Sequence, residues 1–167
     1  VGPVNELSVR AVAKQGGMSE RTVFRYFATR DDLLDAIAAE MSLRLGAPEV
    51  PTSLEALLAY PKAIYTRFEE TAALTKAALH SELYHRIRSA DAEKRGKGIR
   101  DLIDRLAPKR SEHERKIAAA NILYHLVAST WHYYRFYFGF SFADSVECAE
   151  TAIIQALAGL GVSTKRR

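Results

Sequence analysis

Residues 19–27 read SERTVFRYF, two arginines interleaved with hydroxyl groups and three bulky aromatics. On a helix turning about 100° per residue, Arg21, Thr22, Arg25 and Tyr26 fall on one side and Val23, Phe24 and Phe27 on the other. A row of guanidinium, hydroxyl and phenol groups is suited to binding anions, because an arginine fork matches phosphate oxygens and the guanine O6 and N7 pair. The charge around the row agrees. From Arg10 to Arg30 there are five basic residues and one acid, whereas residues 31–40 hold four acids and no base.

No other constellation offers chemistry. His80 and His85 are five residues apart and do not share a helix face, and no His, Cys or acid cluster has metal-ligand spacing. Glycine-rich phosphate loops are missing, so we expect neither an enzyme nor a cofactor. Cys148 is the single cysteine and allows no intrachain disulfide, which fits a reducing compartment. The bases between Arg86 and Lys116 have acids interspersed, the pattern of a solvated helix face.

The elements that must position the row are helical. Ser8 reads as an N-cap, with Leu7 and Val12 spaced as a hydrophobic staple, and the first helix stops at Gly16–Gly17. Ser19 caps the next helix, with Met18 placed to staple to Val23. Thr29 and Asp32 form a capping box for a third start. Two short helices joined by a glycine turn, the second with its polar row outward and its apolar row on Val9, Val12 and Ala13, describe a helix-turn-helix. A second helix of eight or nine residues must be held by packing.

Leu7 to Ile37, LSVRAVAKQGGMSERTVFRYFATRDDLLDAI, resembles the TetR family of bacterial transcriptional regulators. The resemblance covers about a fifth of the chain and departs from the family pattern twice. The family's first helix would lie upstream of Val1, where the opening VGPVNEL reads like the end of a loop. The frequent lysine after the recognition helix is here Arg30. The resemblance implies a double-stranded DNA operator as partner. Ser8 and Arg10 would lie near the DNA backbone, Ser19 at a phosphate, and Arg21, Thr22 and Arg25 at base edges or flanking phosphates. Tyr26 and Arg30 would act as backbone clamps.

We therefore expect an all-α protein, with a helix-turn-helix domain over residues 1–46 and a larger helical ligand-binding and dimerisation domain over 47–167. The segment PEVP after Ala47 marks the linker. Helices follow at about 53–70 with a kink or break at Pro61, then at 71–87, 89–106, 111–138 and 142–160, with capping boxes at Ser111–Glu114 and Ser141–Asp144. The aromatic run TWHYYRFYFGFSF continues the 111–138 helix, stops at Gly139 and could wall a ligand cavity. Candidate lining residues are Tyr65, Phe68, His80, Tyr84, Tyr124, His125, Trp131 and Tyr134, which suit an apolar or aromatic effector with one or two hydrogen-bonding groups.

For a homodimer interface the seam Val146, Ala149, Ile153, Ala156 and Leu160 pairs with Ala120, Leu123 and Val127 of the preceding helix in an intermolecular four-helix bundle. The same residues are alternatively plain core. At 48% hydrophobic and 26% charged residues, with net charge +4, the composition is that of an ordinary globular protein. No apolar run approaches the roughly 18 residues of a membrane span and no signal segment is legible, so we expect a cytoplasmic protein. The resulting expectation is a homodimeric repressor released by a small effector. Its rival is a helix-turn-helix regulator without an effector, controlled by a protein partner or by concentration.

Overall fold

In a computed structural model the chain is described over residues 8–164, apart from the side chains of residues 89–91. Every regular element in that range is helical. Helix α1 (Val9–Gln15) is capped by Ser8, whose Oγ accepts from the Ala11 amide at 3.1 Å. Gly17, at φ 63°, makes the turn into α2 (Glu20–Tyr26), where Ser19 Oγ accepts from the Thr22 amide. α3 (Arg30–Leu45) opens on the Thr29–Asp32 capping box and closes at Gly46 in the left-handed region. Residues 46–53 then run without helix to α4 (Leu54–Glu70), which passes through a buried Pro61.

The expected helix at 71–87 is two elements, α5 (Ala72–Leu79) and the start of α6 (Tyr84–Leu106). The break has a local cause: Ser81 Oγ donates to the Ala78 carbonyl and accepts from the Leu83 amide, replacing helical bonds with a serine turn. The expected helix at 111–138 is also divided. α7 (Glu112–Tyr124) stops at His125, α8 (Ala128–His132) starts a new axis, and Tyr133–Tyr137 form a π-helical turn that ends before Gly139 at φ 69°. The carbonyls left by the break are taken up from elsewhere. Tyr65 Oη donates to the His125 carbonyl at 2.8 Å, Thr130 Oγ1 to that of Tyr124 at 2.5 Å, and Arg95 to that of Leu126 at 3.3 Å. α9 (Phe142–Gly159) closes the fold behind the Ser141–Asp144 capping box.

Three apolar clusters hold these elements. Val9, Ala13, Val23 and Leu33 make a small core under α2. Leu34 and Ala38 of α3 pack with Ala78, Leu83 and Ile87 of α5 and α6. The largest cluster joins α4, α6, α7, α8 and α9 around Leu57, Ile64, Ile99, Ile122, Trp131 and Ile153. Gly98 lets residues 46–53 lie against α6, since a Cβ there would meet Val50 Cγ1 at 2.5 Å. Gly98→Ala should therefore cost about 1–3 kcal/mol from overpacking despite its better helix propensity. Thermal unfolding should show a lower Tm for the single variant, largely restored when Val50→Ala is added. An unchanged Tm in the single variant would contradict this.

Candidate nucleic-acid interface and ligand cavity

The second helix is set on its neighbours by Val23, 2% exposed, with Phe27 half-buried beside it. Arg21 and Arg25 are exposed, and Tyr26 is 69% exposed. Arg25 lies over the Tyr26 ring, 5.2 Å from its centroid, and one guanidinium nitrogen is 3.5 Å from the phenol oxygen. The phenol therefore limits where the arginine can point. Ser19 and Thr22 share a hydroxyl hydrogen bond of 2.9 Å, so both side chains already have a protein partner. Ser8 is committed to its cap, and Arg10 beside it is exposed.

Three details of this unit differ from expectation. Phe24 is 48% exposed and outside the core cluster, because a seven-residue helix buries a narrow strip centred on Val23 and Phe24 falls past its edge. Met18 is also exposed, with its methyl over Gly16 rather than covered beside Val23. Arg30 is paired with Glu82 at 2.5 Å, which ties the start of α3 to the loop before α6. The staple assigned to Leu7 lies outside the described residues.

α3 is fastened along its length to the larger helical body. Arg86 of α6 pairs with Asp31 at 2.6 Å and with Asp35, below the apolar contact of Leu34 and Ala38. At the other end Arg67 of α4 donates to the carbonyls of Arg44 at 2.9 Å, Leu45 at 2.8 Å and Gly46 at 3.1 Å, and to Glu70. A guanidinium on the last carbonyls of a helix satisfies acceptors that have no partner within it and opposes the negative end of its dipole.

Next to this junction lies a cavity of about 330 Å³, enclosed by the end of α3, α4, α5, α6 and α7. Its size falls at the small end of the usual range for small-molecule sites, roughly 300–1,000 Å³. Of the eight residues expected to line a site, Phe68, Tyr84 and Tyr124 do so. Tyr65 and Trp131 are fully buried in the main core instead, where burial pushes the Tyr65 phenol well above its ordinary value. His80 is exposed and meets His132 edge to face at 5.4 Å.

His125 and Tyr134 are joined by a 2.9 Å bond from the phenol oxygen to Nδ1 and border a separate, shallow groove along α9 with Cys148 and Thr151. Burial lowers the pKa of His125, and burial with the nearby His80 and Lys76 charges lowers that of His132. For a histidine depressed on folding, the unfolded chain takes up protons first as pH falls below about 6.5, so stability declines from there downward. The capping-box acids Glu114 and Asp144 are held below the usual carboxylate range by their Ser111 and Ser141 bonds, and their contribution is lost only below about pH 4. Unfolding titrations should thus show a first loss of stability between pH 7.5 and 5.5, smaller in His125→Asn. A flat profile across that window would contradict the assignment.

The profile of bacterial regulatory proteins of the tetR family matches residues 2–37, which contain α1, α2 and the first half of α3. This N-terminal segment is similar to the tetR family of bacterial regulatory proteins. TetR-family proteins are DNA-binding transcriptional regulators, and the matched segment is the one that carries Arg21, Arg25 and Tyr26 on its outer face. No curated protein matches the chain significantly. No described helix is long and apolar enough to cross a membrane.

Most residues of the expected dimer seam are placed inside the chain itself. Val146, Ala149, Ile153 and Leu160 are buried within the chain's own core, with Ala156 half-buried against it. Leu123 and Val127, with the exposed Ala120, line the cavity. Three- and four-residue steps identify a face that must be covered; here α4 and α7 cover it. The apolar groups that α7 and α9 leave outward are others: Ile117 at 50%, Tyr124 at 65% and Ile154 at 40% exposed. The aromatic run also faces outward more than expected. Tyr133, Phe136, Tyr137 and Phe138 are all exposed, because the π-helical turn rotates them away from the core that holds Tyr134 and Trp131.

Proposed function

We propose that the chain is a homodimeric repressor of the cytoplasm that binds a palindromic operator and is released by a small effector in the cavity beside α3. Its DNA-binding unit ends near residue 46, and the helical region from residue 47 senses the effector and dimerises. Arg21, Thr22 and Arg25 enter the major groove. Tyr26 positions Arg25, and Ser8, Arg10 and the first-turn amides behind Ser19 meet phosphates. Arg30, bound to Glu82, serves the linkage to the helical body rather than a backbone clamp.

The observation that carries the effector reading is that Ala78 and Ile87 have two roles. Both line the cavity, and both pack on Leu34 and Ala38 of α3. A molecule that displaces α5 or α6 therefore displaces α3, and with it α2. Arg67 adds a second route, since it lines the cavity and holds the last carbonyls of α3. Release follows if the effector prefers the conformation that does not fit DNA; equal affinity for both would shift nothing.

A second copy would cover the outward aromatics. Ring contacts run from Tyr137 through Tyr133 and Phe138 to the half-buried Phe140, every step within 5.5 Å, which makes one aromatic patch just before α9. Contiguous exposed apolar surface of this kind marks an interface. Two-fold pairing places two recognition helices in successive major grooves, about 10 base pairs apart.

Selection from random duplexes at a stated salt concentration tests this reading, because phosphate contacts make affinity depend on salt. Enrichment of a palindrome with half-sites about one helical turn apart is expected. A folded dimer that enriches no sequence would overturn it.

A further inference from the structure

Residues 46–53 carry no helix and read as a linker in the sequence, yet α4 and α6 hold them. Tyr60 Oη of α4 donates to the Pro48 carbonyl at 3.2 Å, Arg105 of α6 donates to that of Thr52 at 3.2 Å, Val50 sits over Gly98, and Pro51 is buried. At the head of the segment Arg67 takes the carbonyls of Arg44, Leu45 and Gly46. Gly46 makes room for it, since a Cβ there would meet the guanidinium at 3.2 Å.

The two ends of α3 are therefore held differently. At the N-terminal end Arg30–Glu82 and Arg86–Asp31 join side chain to side chain near the surface, and such pairs are weak and screened by salt. The contact of Leu34 and Ala38 with Ala78, Leu83 and Ile87 fixes how far α3 lies from the body, but burial is non-directional and leaves the tilt open. Arg67 instead bonds to main-chain atoms of three successive residues, so the helix axis cannot turn there without breaking them. α2 packs on Leu33, twelve residues before Leu45 and about 18 Å along the axis. A tilt of roughly 10° about the held end would carry α2 about 3 Å, close to the ~3.4 Å rise of one base pair.

We propose that Arg67 determines the operator spacing the protein accepts: its hold on the end of α3 sets the tilt of the α1–α3 unit, and with it the distance between the two reading helices of the dimer. It is a positioning residue and touches no DNA. This rests on the proposal that a homodimer reads a palindrome and adds the residue that sets the half-site separation.

Anisotropy titrations of the full chain, without added ligand, on the selected operator and on versions with one base pair inserted or removed between the half-sites test it. The wild type should lose about tenfold or more in affinity at either altered spacing, because one base pair both shifts and turns a half-site. Arg67→Met, which keeps an apolar stem and removes the donors, should differ by less than about threefold between the best spacing and its neighbours, while its affinity for a duplex carrying a single half-site stays within about twofold of wild type. Arg67→Lys, which keeps the charge without the fork, should fall between the two. If Arg67→Met folds poorly, Gly46→Ala, which crowds the guanidinium and leaves α4 unchanged, should flatten the profile in the same way. An Arg67→Met profile as steep as that of the wild type, or a wild type indifferent to spacing, would overturn the role of Arg67 and leave the dimeric reader standing. A loss on the single half-site as large as that on the whole operator would place the effect in the reading unit itself and overturn it equally. Absence of any selected palindrome would overturn the dimeric reader and this inference with it.

Discussion

Arg25→Ala is expected to weaken binding to the selected operator by at least about tenfold while leaving Tm and the oligomeric state unchanged. A bidentate arginine contact to a base discriminates by about 1–3 kcal/mol, and a two-fold dimer loses it in both half-sites. The side chain is exposed and alanine is the better helix former, so the substitution removes a contact without disturbing α2. Because Tyr26 lies against the guanidinium, Tyr26→Phe should cost less than Arg25→Ala: it keeps the ring below the arginine and loses only the phenol oxygen. Anisotropy titrations at one salt concentration would give both values. Operator affinity unchanged in Arg25→Ala would remove that residue from the reading face.

The largest effect on stability belongs to Trp131. Its side chain is fully buried, its ring meets Phe68 and Phe136 at centroid distances of 5.7 Å each, and its Nε1 donates to Glu69 at 3.0 Å. Trp131→Ala should cost about 3–5 kcal/mol, the range for large aromatics truncated in a packed core. Trp131→Phe keeps most of the volume. It leaves Glu69 with Arg135 as its remaining donor from this group, and so should cost less. Since Phe68 packs on Trp131 and also lines the cavity, the alanine variant should also loosen the cavity wall even where it remains folded. Denaturant unfolding that shows a loss below about 1 kcal/mol would contradict this account of the core.

The features legible in the sequence were those fixed by neighbours within a turn. Ser8, Ser19, Thr29, Ser111 and Ser141 all cap as their spacing predicts, because a cap needs only a hydroxyl and an amide three residues on. The turn at Gly17 and the stop at Gly139 follow from the positive φ that glycine adopts without strain. What could not be read were events decided by distant residues. No local signal marks the break after Tyr124, which depends on carbonyls taken up by Tyr65 and Arg95 from other helices. Periodicity showed that one side of α9 must be covered but not by what, and the cover is α4 and α7.

Chemical footprinting of guanine N7 on a selected duplex, with the wild-type chain and with Arg25→Ala, tests the central claim most directly, because it reports the groove that α2 enters. Two major-groove patches protected on one face of the duplex, about one helical turn apart and both weakened in the variant, are predicted. Tight binding that leaves the major groove open, or protection indifferent to Arg25, would show that the face of α2 does not read DNA.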